Sequence, residues 1–123
     1  DVTLEYSRPL RALKLWLAFR VHGAEKFRET IQGNIDLAHM LHAMAAERGW
    51  EVGPAPDLSI VLMRKPGMDN AELVQRLQAD GRVYISHATV DGETWLRPCF
   101  TNTRTTVSDV QVLMDVADEV SRA

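Results

Sequence analysis

The residues best equipped for chemistry in this chain are arginines. Arg97 follows Leu96 and precedes Pro98 and Cys99, in a stretch that reads as a strand buried on one side. An arginine within a sheet must find partners for five N–H donors. Its planar fork suits it to gripping a carboxylate through two parallel hydrogen bonds. The same residue also reads as one half of a structural ion pair with an aspartate or glutamate of the chain. A second cationic group, Arg8, Arg11, Lys14 and Arg20, surrounds Trp16 and several leucines. Such residues either cover apolar surface with their long stems or grip a carboxylate or phosphate of a partner domain.

The other reactive side chains are sparse. His39 and His42 stand three apart and share a helix face, but a metal needs at least one further ligand, and none is obvious nearby. They read as a surface or half-buried pair, and His22 and His87 are isolated. Cys99 is the single cysteine, so no internal disulfide is possible. Its apolar neighbours suggest a buried small hydrophobe rather than a reactive thiol, which needs a cationic and exposed setting. There is no phosphate-binding glycine loop, Cys-x-x-Cys pair, nucleophile elbow or metalloprotease helix.

Composition bounds what these residues can serve. The chain has 123 residues, 46% hydrophobic and 25% charged, which fits one compact domain over residues 1–123 with a real core. A net charge of −3 argues against a nucleic-acid binder, which carries a basic surplus. No apolar run reaches the roughly 20 residues that span a bilayer. With no disulfide and no secretory signal pattern, a reducing, cytoplasmic setting is expected. The chain begins at Asp1 rather than methionine, so a fragment or processed product is expected.

The elements that must position these groups follow from periodicity. Pro9 opens a helix to His22 with Leu10, Leu13, Leu17 and Val21 at helical spacing, and Gly23 stops it. A second helix runs from Glu25 to Arg48, with Phe27, Ile31, Ile35, Ala38, Leu41 and Ala45 as its apolar stripe. Gly49 ends it, and Gly33 marks a bend or close packing. A short strand around Trp50 to Val52 precedes the stiff Gly53-Pro54-Ala55-Pro56 connector. Leu58 to Met63 then reads as a well-buried strand. Asp69 and Glu72 form a capping box for a third helix, which Gly81 stops. Arg82 to Val90 alternates, with Val83, Ile85 and His87 on one side. Asp91-Gly92 is a hairpin turn into a partner strand from Thr94 to Thr101. Thr106 and Asp109 cap a last helix with Val110, Leu113, Met114, Ala117 and Val120 inward. The expected fold is α+β: a small, mostly antiparallel sheet with helices on one face.

The segment from Ser7 through Arg8, Pro9, Leu10, Arg11, Ala12, Leu13, Lys14, Leu15, Trp16, Leu17, Ala18, Phe19, Arg20, Val21 and His22 to Gly23 resembles a hallmark of the group II pyridoxal-phosphate decarboxylases. That pattern has a basic pair, an Ala/Ser-Leu-Lys-x-Trp core, then an aromatic-Arg and a glycine. Members include the aromatic amino acid, histidine and glutamate decarboxylases. Phe27-Arg28 with Ile31, and Asn34 with Leu37-Ala38, resemble the long helix that follows in the family. Leu96-Arg97, Asn102 and Thr105-Thr106 resemble its C-terminal strand and helix. The likeness covers essentially the whole chain.

The resemblance implies the C-terminal small domain of the aspartate-aminotransferase fold (fold-type I). It also implies a parent enzyme that releases carbon dioxide from an L-amino acid, of the aromatic class, with pyridoxal phosphate as electron sink. The partners it implies are the large cofactor-binding domain of the same parent chain, a second subunit in a homodimer, and a small amino acid substrate. It places Arg97 at the substrate carboxylate. It makes Arg8 and Arg11 anchors of a mobile catalytic loop or of the domain boundary, and Lys14, Trp16 and Arg20 packing and inter-domain residues. The family's cofactor lysine follows a histidine, whereas Lys14, Lys26 and Lys65 follow Leu13, Glu25 and Arg64. No catalytic, cofactor-binding or metal-binding residue is therefore expected in this chain, which should be inert alone. A stand-alone α+β ligand-binding module, or a structural dimerisation piece, is the alternative. The decarboxylase reading requires an exposed apolar patch, with Trp16, Leu17 and Phe19 as its members.

Overall fold

A glycine divides the first helical stretch as its sequence suggests. In the computed structural model, which describes residues 11–100 and 104–122, helix α1 (Arg11–Glu47) runs across a kink at Gly23. The φ of 80° and ψ of 157° at Gly23 are non-helical, and only glycine adopts that combination at little cost. Across the kink Phe19 and Phe27 stack, with ring centroids 4.2 Å apart. The helix closes on a left-handed Gly49. The Trp50 N–H donates to the Ala45 carbonyl at 3.0 Å and the Gly49 N–H to that of Ala46 at 3.2 Å, which satisfies carbonyls the helix leaves free. Gly33 marks neither a bend nor close packing: it lies in regular helix with nothing within 4 Å of where a Cβ would stand.

Strands β1 (Glu51–Val52), β2 (Met63–Arg64), β3 (Ser86–Val90) and β4 (Glu93–Arg97) form one sheet in the order β1-β2-β4-β3, every pair antiparallel. Asp91 and Gly92 both have positive φ, 51° and 79°, which is the backbone a two-residue hairpin turn demands. The expected strand from Leu58 to Met63 is broken. Ile60 bridges Cys99 and Met63 pairs with Leu96, so one register holds throughout. At the point between, the Val61 N–H donates to the Pro98 carbonyl at 3.0 Å, and Pro98 has no N–H to return the bond. The segment is also not buried throughout. Val61 and Met63 point into the core, while Leu58 and Ile60 alternate onto the other face and are exposed.

Helices α2 (Asn70–Asp80) and α3 (Val107–Arg122) join α1 on one face of this sheet. The Asp69 side chain accepts from the Ala71 and Glu72 N–H groups at the start of α2. At α3 the Thr106 N–H donates to Asp109 while the Asp109 N–H donates to the Thr106 hydroxyl, a reciprocal box. Leu41 and Ala45 from α1, Leu73 and Leu77 from α2, Val110 and Met114 from α3, and Met63 and Leu96 from the sheet are completely buried together. The α1 stripe thins toward its start: Ile31, expected inward, is 55% exposed, because no element covers that turn among the described residues.

One partly buried polar knot fixes the end of α1 to α3. The Trp50 indole Nε1–H donates to Asp118 Oδ1 at 2.7 Å, and Arg48 Nη1 donates to Asp118 Oδ2 at 2.9 Å and to Asp115 Oδ1 at 2.8 Å. These carboxylates raise the Arg48 pKa above the usual arginine value. The indole thus gains the partner that a buried donor requires. A second tie joins α2 to α3, where Arg82 grips both oxygens of Asp80 and reaches Glu119 at 2.7 Å.

Candidate functional site on the bare face of the sheet

The helices leave the other face of the sheet uncovered among the described residues, and strand parity decides what it displays. Met63 and Leu96 face the core, so Arg64, Glu93, Trp95 and Arg97 face away from it, with Ser86 and Ala88 beside them on β3. Continuing the same alternation, Ile60 and Cys99 lie on this face, while Pro98 and Phe100 turn inward. Cys99 is therefore exposed rather than buried, because the inward positions that flank it are already filled. His87, expected inward, is also exposed; it stands opposite Leu96 but on the outer strand of the sheet.

Two arginines share this face and differ in state. Arg64 is mostly buried and held in place: its Nη1 donates to Glu93, its Nε lies 3.5 Å from Glu51, and its guanidinium stands 5.7 Å from the Trp95 ring centroid. That cluster links β1, β2 and β4 on one side of the sheet. Arg97 is exposed, and among the described residues no carboxylate lies within ion-pair distance of it. Its Nε donates to the Ser86 hydroxyl at 3.4 Å, and that hydroxyl donates to the Arg97 carbonyl at 3.2 Å. The structural ion pair considered for Arg97 is thus not found among the described residues, and Arg64 makes one instead; Arg97 lies on the side of its strand that is not buried. Arg64 was missed from sequence, although one signal for it was present: it follows inward-facing Met63 and must point to the opposite side.

The remaining candidates are scattered. Arg8 lies outside the described residues, as does Asn102. Arg11 begins α1, and Lys14 is exposed, well before the first buried residue of the helix, Leu37. Arg20 stands 5.4 Å from the Trp16 ring centroid, a cation over an aromatic face on an open surface. Around this limb Leu13, Trp16, Leu17, Phe19 and Val21 are all exposed, Val21 by 74%. The apolar patch expected at Trp16, Leu17 and Phe19 is present and extends to both sides of the helix. His42 Nε2 is 2.9 Å from the Gly53 carbonyl and, as donor, ties α1 to the connector; His39 is exposed. Lys26 is exposed, and Lys65 is half-buried with its ammonium 5.2 Å from the Trp50 ring centroid.

No protein-family profile matches the chain. Individual relatives do. An aromatic-L-amino-acid decarboxylase of Bacillus atrophaeus is 32% identical over 96% of this chain, and tyrosine decarboxylase 2 of Arabidopsis thaliana is 31% identical over 79% of it. Among solved structures, Catharanthus roseus tryptophan decarboxylase in complex with L-tryptophan superimposes on 94% of the chain with a TM-score of 0.81 and 26% identity. The chain spans 28%, 20% and 27% of these three proteins. The helix and strand order, the sheet with its helices on one side, and the sequence likeness point the same way: this chain is related to the group II pyridoxal-phosphate-dependent decarboxylases and corresponds to their C-terminal domain.

Proposed function

We propose that this chain is the C-terminal domain of a carboxy-lyase that removes carbon dioxide from an aromatic L-amino acid. In this reading it acts in the cytoplasm as part of a homodimer, with a large cofactor-binding domain of the same parent chain as its partner. The observation that carries the proposal is the likeness to the aromatic-L-amino-acid decarboxylase along 96% of the chain. The bare sheet face and the first limb of α1 support it, since both expose apolar side chains that a partner domain would cover.

The residues present do not build the cofactor's attachment site. None of the lysines follows a histidine, and Lys65, the one half-buried lysine, rests on Trp50 on the helix side of the molecule. No step of the reaction is therefore assigned to this chain's own lysines. Its contribution is a wall. Arg97 extends from the bare face with no carboxylate at ion-pair distance among the described residues, suited to hold a substrate carboxylate in a fixed orientation. In this reading Arg8 and Arg11 are anchors of a mobile catalytic loop or of the domain boundary.

The test is to express the complete reading frame that contains these residues and to follow carbon dioxide release from L-tryptophan, L-tyrosine and L-glutamate. The expected result is release from the aromatic substrates by the complete protein and none by the 123-residue chain. Arg97→Lys should raise KM or lower kcat at least tenfold, because lysine keeps the charge and loses the fork. Turnover by the 123-residue chain, or a preference for L-glutamate, overturns the reading of the activity. Unchanged kinetics in Arg97→Lys overturns the role of Arg97.

A further inference from the structure

The bare face holds an arrangement around Arg97 that the general reading does not use. Ser86 on β3 is the register partner of Arg97 on β4, so the two side chains leave the same face side by side. The serine hydroxyl makes two bonds to one residue: it donates to the Arg97 carbonyl at 3.2 Å and accepts from Arg97 Nε at 3.4 Å. This closes a small ring of hydrogen bonds through both the backbone and the side chain of the arginine. Nε is the donor nearest the stem, so holding it restricts the guanidinium plane and leaves the Nη1 and Nη2 groups directed outward. No carboxylate among the described residues engages those outer groups, in contrast with Arg64, whose acidic neighbours occupy it. A long side chain left free on a surface samples many rotamers, and restricting it beforehand lowers the entropic cost of binding.

We propose that Ser86 is a positioning residue for Arg97: by holding Nε it presents the outer edge of the guanidinium as a pre-set fork for a carboxylate. This rests on the reading of Arg97 as substrate-facing. A hydroxyl is required at position 86, whether from serine or threonine. The bond is neutral on the acceptor side and partly open to solvent, so its loss acts on binding more than on the chemical step.

The test uses the complete enzyme and measures KM and kcat separately for L-tryptophan in Ser86→Ala, Ser86→Thr, Arg97→Ala and the double variant Ser86→Ala/Arg97→Ala. Ser86→Ala is expected to raise KM about threefold to tenfold with kcat within about twofold, and Ser86→Thr to restore KM. In the Arg97→Ala background the serine substitution should add nothing. A Ser86→Ala enzyme with unchanged KM, while Arg97→Ala is impaired, overturns the positioning role and leaves the role of Arg97 standing. An Arg97→Ala enzyme with unchanged kinetics overturns both. If Ser86→Ala lowers kcat and the melting temperature together and Ser86→Thr does not rescue, the serine is structural and the proposal fails.

Discussion

The two limbs of α1 are alike in composition and opposite in circumstance. Residues 24–47 bring Leu37, Ala38, Leu41 and Ala45 into the core, and the limb is tied further by His42 to Gly53 and by Arg48 to α3. Residues 11–22 are at least as apolar, yet Leu13, Trp16, Leu17, Phe19 and Val21 are exposed. A helix that is apolar around its circumference is built for burial on more than one side. The contrast separates what this chain stabilises by itself from what it offers to something else; Gly23 is the boundary between the limbs, and full burial begins only at Leu37.

The largest expected effect tests that boundary directly. Leu41 is fully buried, so Leu41→Ala should destabilise the 123-residue chain by about 2–5 kcal/mol. Leu17→Ala should change it by less than about 0.5 kcal/mol. Urea midpoints measure both. Equal losses would mean that the first limb packs on the core and would dissolve the comparison. If the proposed large domain covers this limb, Leu17→Ala should become costly in the complete protein.

A middle-sized effect is expected at the boundary itself. Gly23→Ala forces a Cβ onto a backbone of φ 80° and ψ 157°, which costs about 1–3 kcal/mol for a non-glycine residue. There is open space around the site, so the cost is conformational and not a clash. The substitution should favour a straight helix and separate the Phe19 and Phe27 rings. Circular dichroism and the environment of the two phenylalanines by NMR follow this; an unchanged ring contact counts against glycine as the cause of the kink.

The smallest effect concerns the charged tie on the covered side. The Arg82 side chain, hydrogen-bonded to Asp80, holds the Asp80 carboxyl below its ordinary value of about 3.9. A depressed folded-state value means that the ion pair contributes stability above the unfolded value and loses it as pH falls through the folded one. Both groups are solvent-exposed, so the contribution is small. Asp80→Asn should lower stability slightly at neutral pH and converge with the parent chain as the pH falls through the lowered folded-state value of Asp80. A difference that grows on acidification reverses the sign and removes the pair as a stabilising contact.

Local signals were legible in the sequence and distant ones were not. The Asp91-Gly92 hairpin, the Thr106 and Asp109 box and the break at Gly23 each depend on a few adjacent residues with fixed backbone demands, and each is found as expected. Strand Leu58 to Met63 failed because its partner brings Pro98 opposite Val61, a pairing visible only once the register is known. The same register turned Cys99 outward. Arg64 draws on Glu51 and Glu93, and Trp50 on Asp118, partners far apart in sequence that periodicity cannot join. Arg97 was found by residue type and family likeness, but its tie to Ser86 needed the hairpin's register.

The strand order carries a consequence for how the chain acquires its shape. β3 and β4 are joined by a two-residue turn and can pair within microseconds of one another becoming extended. β2 must then insert between β4 and β1, closing a long loop that contains the whole of α2 before Met63 meets Leu96. Closing such a loop is an entropic barrier that a preformed hairpin and helix would help to offset. A chain emerging from the ribosome N-terminus first therefore exposes its apolar first limb well before the strands that complete the sheet exist.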